Sequence, residues 1–286
     1  MVKRLKESRT VEATLMQPDL HDAWENAYRT PENARFYDSA IAYVGKQLDA
    51  TVRPKLLDAG CGICDYSIRL ARQGFQVTAV DFSEPVLANA KTNIMSSQLA
   101  DMVKLQRENL VELTFSPDAF DAIFCWGVLM HIPDIESATA ELARVLRPGG
   151  RLAVCESNLY SIESMMVRGL RTVSRNSAAK VKRTPAGLEH WRKHQAGYLM
   201  TRIANINWLL TRFASLGLDL HSRSAGQFSE AFVHIPRQSM KKLVHRLNQE
   251  WFERVRWAWP ARSNILVFEK RASRVDLSPS ISSRFG

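Results

Sequence analysis

Apolar residues in the first half of the chain fall into short blocks separated by stretches of helical period. Phe36, Tyr37, Ala40, Ile41, Val44 and Leu48 recur at helical spacing behind Thr30-Pro31, which predicts a helix with a threonine cap and a proline in its first turn. Pro54 ends it, and residues 55–59 follow as a compact strand. A helix over 65–73 closes at Gly74, a strand over 76–80 comes next, and Ser83-Glu84-Pro85 opens a further helix. Residues 102–106 are a weaker strand and 120–126 a clear one. Ile135, Ala138, Leu142, Val145 and Leu146 mark a helix that stops at Arg147-Pro148-Gly149-Gly150, before a fifth strand over 151–156. Strands and helices alternating through short connections predict a parallel, doubly wound α/β sheet.

The rhythm breaks after Glu156. Residues 157–197 show no strand signal and read as an insertion or lid, followed by a helix over 199–216 and strands over 218–222 and 264–269. The division expected is a helical cover over 1–53, a cofactor-binding core over 54–156, an insertion and helix over 157–217, and completion of the sheet over 218–271. A flexible tail is expected over 272–286, and the polar residues 1–19 are expected to fray.

Charge divides the same way. Through Glu156 there are 17 basic and 21 acidic residues; from Ser157 onward there are 22 and 8. A strongly basic second half points to an anionic substrate, a nucleic acid or an acidic membrane surface. No apolar run approaches the roughly 20 residues that span a bilayer, and residues 1–6 lead into charged sequence, so a cytoplasmic protein is expected. Cys61 and Cys64 have C-x-x-C spacing but no second ligand pair, so neither a metal site nor redox chemistry is expected.

The chemistry concentrates at Leu57-Asp58-Ala59-Gly60-Cys61-Gly62. A dinucleotide fingerprint would place a third glycine at position 65, where this chain has Asp65. Acids around the turn suit a cofactor bearing positive charge, and S-adenosylmethionine carries both a sulfonium and an ammonium. Asp58 is suited to meet the ammonium or to organise the turn. Gly60 and Gly62 keep Cβ atoms out of the cofactor's path, and Asp81, at the end of the next strand, is suited to the ribose hydroxyls.

Taken together, Leu57–Gly62, Val80-Asp81-Phe82-Ser83, Phe120-Asp121-Ala122-Ile123 and Val145-Leu146-Arg147-Pro148-Gly149-Gly150 resemble the class I S-adenosylmethionine-dependent methyltransferases, over about residues 54–156. The resemblance implies a Rossmann-like, seven-stranded sheet whose last strand is antiparallel, with 264–269 inserted beside 218–222. It implies cofactor contacts from Asp58, Gly60, Cys61, Gly62, Asp81, Phe82, Asn109, Leu110 and Trp126, with Tyr28 folding over the methionine end. Two positions depart from the pattern: Cys64 stands where a further glycine is common, and Asn109 where an acid commonly meets the adenine amino group.

Methyl transfer asks the protein to position an acceptor and, for a hydroxyl acceptor, to take its proton. The ends of the fourth and fifth strands single out 127–131 and 156–158, with His131 as the candidate base. Acceptor contacts are expected from Trp191, Arg192, Lys193 and His194, with Asn158 and Tyr160 beside them. The basic residues between Arg168 and Lys193, including Arg171 and Arg175, favour an anionic acceptor. The function expected is methylation of an oxygen or nitrogen of a small metabolite, sugar or natural product. The alternatives are an RNA or protein methyltransferase and a noncatalytic cofactor-binding scaffold.

Overall fold

The computed structural model describes residues 2–173 and 180–272. Arg175 and the serine-rich tail beyond 272 lie outside the described residues, as does the side chain of Arg171.

Three helices lead in: α1 (Val2–Leu15), α2 (Pro18–Tyr28) and α3 (Pro31–Leu48). The alternating unit then runs β1 (Lys55–Ala59), α4 (Asp65–Ala71), β2 (Gln76–Asp81), α5 (Glu84–Ser96), β3 (Val103–Arg107), β4 (Phe120–Trp126), α6 (Ile135–Val145) and β5 (Leu146–Ser157). After α7 (Ile162–Val173) come β6 (Lys180–Thr184), β7 (Gly187–His194) and β8 (Gly197–Ala204). The chain finishes with α8 (Ile206–Ser215), β9 (Leu218–Ala225), α9 (Gln238–Glu250) and β10 (Ser263–Lys270).

Seven strands form one sheet in the order β3-β2-β1-β4-β5-β10-β9. Strands β1 to β5 pair in parallel, and β10 runs antiparallel between β5 and β9, with Ile265 opposite Cys155 and Ser224. Adjacent residues of β1 face opposite layers: Leu56 packs with Ile41, Val44 and Phe75, while Leu57 packs with Ile135, Leu142 and Phe213. Burial on both faces explains the continuous apolar character of this strand. The glycine turn and the C-terminal ends of β1, β2, β4 and β5 meet at the sheet's topological switch point, where α/β folds bind ligands.

Two expectations are corrected. Residues 180–204, read as a strandless lid running into a helix, form a three-stranded antiparallel sheet in the order β6-β7-β8. Leu199 and Ile203 are four apart, a spacing that fits one helix face and one strand face alike; the glycine ahead of them and the turn at 195–196 favour the strand. The helix begins only at Ile206. The stretch expected to fray contains α1, whose Val11 and Leu15 are buried against Met200 of β8. Gly197 makes that docking feasible: its φ is +153°, and a Cβ there would stand 2.4 Å from the carbonyl oxygen of Thr10.

No helix among the described residues is long and apolar enough to cross a membrane.

Candidate functional site

The β1–α4 turn is shaped by backbone hydrogen bonds. Gly60 N and Cys61 N both donate to Val80 O, at 2.9 and 2.8 Å, which ties the turn to the end of β2. Gly60 has φ +86°, and a Cβ would lie 2.5 Å from a methyl of Val128, so only glycine fits. Asp81 secures both neighbours: one carboxyl oxygen accepts from Gly62 N at 3.1 Å, the other from Ser83 N at 3.0 Å. Its pKa is raised by burial. Each carboxylate oxygen keeps acceptor capacity after one such bond.

The turn opens into a cavity of about 1250 Å³. Drug-sized ligands occupy clefts of about 300–1,000 Å³, so there is room for a cofactor and a second molecule. Gly60, Cys61, Gly62, Asp81 and Phe82 line one end, joined by Asn109, Leu110, Trp126 and Tyr28. Asp58 is not on the wall. It is buried behind the turn, where it accepts from Ser67 Oγ at 2.5 Å, and burial pushes its pKa up to about 7. Of the two roles open to it, organising the turn is the one its contacts serve. Asn109 is partly engaged: its Oδ1 accepts from Val111 N, and its Nδ2 donates to Glu12 of α1 at 3.3 Å.

The tips of β4 and β5 supply the titratable groups. His131 Nδ1 lies 3.0 Å from Met200 O; a carbonyl only accepts, so Nδ1 carries the proton and Nε2 holds the lone pair. The ring stacks on Trp24 at 4.8 Å between centroids, and burial lowers its pKa to about 4. Glu156 is 2% exposed and lies on the cavity wall, where the backbone N–H groups of Val128, Leu129 and Met130 face its carboxyl but no side chain hydrogen-bonds to it. Burial raises its pKa to about 8. A carboxyl in that state exchanges protons near neutrality, which a histidine near 4 does not.

The β6-β7-β8 sheet roofs the far end. Strand alternation turns Leu188, His190 and Arg192 toward the cavity, opposite Arg183, Val181, Thr201 and Leu199 of the neighbouring strands. It turns Trp191 away, correcting the expectation that Trp191 faces the acceptor. Its indole N–H donates to Glu189 at 3.1 Å, and the ring packs beside Val11, Leu15 and Met200. Lys193 is exposed on that same outer face, and His194 sits at the strand end, 3.9 Å from Asp19. Asn158 is buried in a structural role, donating to the carbonyls of Trp259 and Ala261, while Tyr160 is exposed under the Arg168 guanidinium. Beneath the roof, buried Arg202 pairs with Glu189 at 2.9 Å and donates to the carbonyls of Leu129 and Ile132, fixing the turn that carries His131.

Arg29 was not singled out by sequence. It follows the helix that carries Tyr28, its guanidinium lies 5.9 Å from the Tyr66 ring centroid, and its buried Nη1 has no hydrogen-bond partner. It lines the cavity beside Gly62. A buried guanidinium nitrogen without a partner is costly unless an acceptor arrives to satisfy it. Among the described residues no cluster of potential metal ligands occurs.

Residues 57–154 match a family described as a methyltransferase domain. Methyltransferase GfsG of Streptomyces halstedii is 34% identical over 134 residues, which cover 45% of this chain and 48% of that protein. The demethylmenaquinone methyltransferase of Lactiplantibacillus plantarum is 35% identical over 115 residues, 39% of this chain and 48% of its own length. The chain thus spans about half the length of these curated relatives. The solved CcbJ methyltransferase from Streptomyces caelestis superposes with a TM-score of 0.56 at 18% identity, covering 82% of this chain and 90% of that one; at that identity the likeness establishes the fold. Residues 57–154 match the methyltransferase-domain family, and the glycine turn, the acid at the end of β2 and the seven-strand order agree with that match, in the fold of the class I S-adenosylmethionine-dependent methyltransferases.

Proposed function

We propose that the protein transfers a methyl group from S-adenosylmethionine to an oxygen or nitrogen of a small-molecule acceptor. The observation that carries this reading is a single cavity with the Gly60–Asp81 turn at one end and the buried carboxyl of Glu156 on its wall. The residues present fit the cofactor. Asp81 has acceptor capacity for two ribose hydroxyls, Gly60 leaves the path clear, and Arg29 offers its unpartnered Nη1 to the methionine carboxylate. When bound, the cofactor supplies a methyl group already activated toward displacement.

The chain's own part is to orient the acceptor, exclude water and receive a proton. Glu156 as carboxylate takes the proton released from the acceptor's O–H or N–H. His131, held as the Nδ1–H tautomer, presents Nε2 as a fixed hydrogen-bond acceptor. Arg183 and Arg192 line the cavity without an ion pair among the described residues, which supports an acceptor bearing carboxylate or phosphate. A relative named for demethylmenaquinone supports the small-molecule class. A cytoplasmic location belongs to the same reading.

The experiment is release of S-adenosylhomocysteine with pooled small metabolites and, separately, with RNA. Turnover with the metabolites alone supports the proposal; turnover with RNA alone replaces it. The Arg183→Ala/Arg192→Ala protein is expected to raise the acceptor's KM, less so at high salt, with cofactor affinity unchanged.

A further inference from the structure

The second half of the chain places apolar side chains where water meets them. In α9 the buried positions are polar, His245, Asn248 and Gln249, while Met240, Leu243 and Leu247 are 48%, 64% and 42% exposed. Positions 240, 243 and 247 fall on one stripe, so this amphipathic helix turns its apolar face outward. Helix α7 repeats the pattern: Met166 and Leu170 are 63% and 69% exposed, four residues apart on one side. Between them Trp257 and Trp259 are 60% and 51% exposed.

These pieces form one face. Ile162 N and Asn158 Nδ2 donate to the carbonyls of Pro260 and Trp259, joining the start of α7 to the tryptophan loop. Trp251 at the end of α9 donates its indole N–H to Trp257 O. Glu230 N donates to Glu163 of α7, and neighbouring Ser229 N donates to Asn248 of α9. Isolated exposed apolar residues are ordinary, whereas a joined patch marks a binding surface.

Charge indicates the occupant. Lys241, Lys242 and Arg246 flank the apolar stripe of α9, and the acid at its end, Glu250, is already paired with Arg254 at 3.0 Å. Arg256 in the tryptophan loop and Arg168 of α7 add cations on the same elements, their guanidiniums over the Tyr43 and Tyr160 rings. A second copy of the chain would set these cations against themselves. Cations beside exposed tryptophans and an outward apolar stripe suit lipid headgroups with acyl chains beneath them.

We propose that this face, α7 with the 255–260 loop and α9, docks on an anionic lipid bilayer. Met165 and Val167 of α7 are each 40% exposed and also line the cavity, so the cavity opens beside the face where the bilayer would lie. Combined with the methyl-transfer reading, on which this consequence rests, docking lets an acceptor with an apolar tail enter without crossing water.

The test is co-sedimentation of the full chain with vesicles of phosphatidylcholine alone and of phosphatidylcholine mixed with phosphatidylglycerol. Binding is expected on the mixed vesicles, weakening with salt. Each cation near an anionic surface is worth about fivefold in partitioning, so Lys241→Ala/Lys242→Ala should bind the mixed vesicles about 25-fold more weakly. Trp257→Ala/Trp259→Ala should lose binding to the mixed vesicles. None of these four residues lines the cavity, so calorimetric affinity for S-adenosylmethionine serves as a control for folding. Equal sedimentation of wild type and both double variants overturns the proposal, as does absence of binding to mixed vesicles. Light scattering that shows a dimer dissociated by Leu243→Glu, with no vesicle binding, reassigns the face to a second copy. Cofactor affinity and methyl release are measured without vesicles, so failure here is separable from failure of the methyl-transfer reading.

Discussion

Replacing Glu156 by glutamine keeps the side chain's shape and removes its charge. In the folded protein burial moves this carboxyl from 4.5 to about 8. Above pH 4.5 the unfolded chain releases the proton while the folded chain retains it, so the folded state binds more protons and stability falls as pH rises toward 8. One pH unit of displacement is worth about 1.4 kcal/mol, so the folded state bears roughly 3 kcal/mol at pH 7 and about 4 kcal/mol at pH 8, approaching about 5 kcal/mol above it. Glutamine never ionises and escapes this cost. Urea denaturation of cofactor-free wild type and Glu156→Gln between pH 5 and 8 should therefore diverge, the variant gaining several kcal/mol by pH 8. Buried Asp58, raised to about 7, is common to both proteins and cancels in the difference. Parallel stability curves across that range would refute the reasoning. The same titration sets catalysis: methyl release should climb through about pH 8 in wild type, and the variant should lose that limb together with about 100-fold or more in rate.

His131→Phe preserves a ring against Trp24 but leaves Met200 O without its donor, which should cost about 1–3 kcal/mol by urea denaturation at neutral pH. Because His131 is lowered to about 4, the wild-type protein resists its protonation and loses stability as pH falls from about 6.5 toward 4; the phenylalanine variant should lack that component while keeping the alkaline activity limb. Gly60→Ala should destabilise the protein by more than about 1 kcal/mol and weaken cofactor binding, since the residue at φ +86° must then push against Val128; unchanged melting and affinity would contradict the turn geometry.

The core of the fold was legible because its periods are unambiguous: a central strand such as β1 is apolar at Leu56 and Leu57 together, and Gly74 punctuates sharply, whereas Gly149-Gly150, expected ahead of the fifth strand, lies inside β5, which begins at Leu146. The seven-strand order came through the resemblance carried by those turns. The roof was not legible, because residues 199 and 203 satisfy helix and strand periods alike and Arg202 between them is buried, against what its charge suggests. That one misreading placed Trp191 at the acceptor, whereas in β7 it is His190 that lines the cavity. Helix α1 was hidden by its charged composition, since its two anchors, Val11 and Leu15, find their partner Met200 nearly two hundred residues away. Sequence located Glu156 at a strand tip, but only packing shows that it is buried with no side-chain hydrogen-bond partner; Arg29 carries no local signal at all.

The most direct test is calorimetric titration of wild type and Asp81→Ala with S-adenosylmethionine. One site should bind in wild type. Loss of the charged acceptor should weaken it by roughly 1.5–3 kcal/mol, about 10- to 150-fold, in a variant that still folds. Unchanged affinity in folded Asp81→Ala, or tighter binding of a nicotinamide dinucleotide than of S-adenosylmethionine by wild type, would contradict the assignment of the cavity.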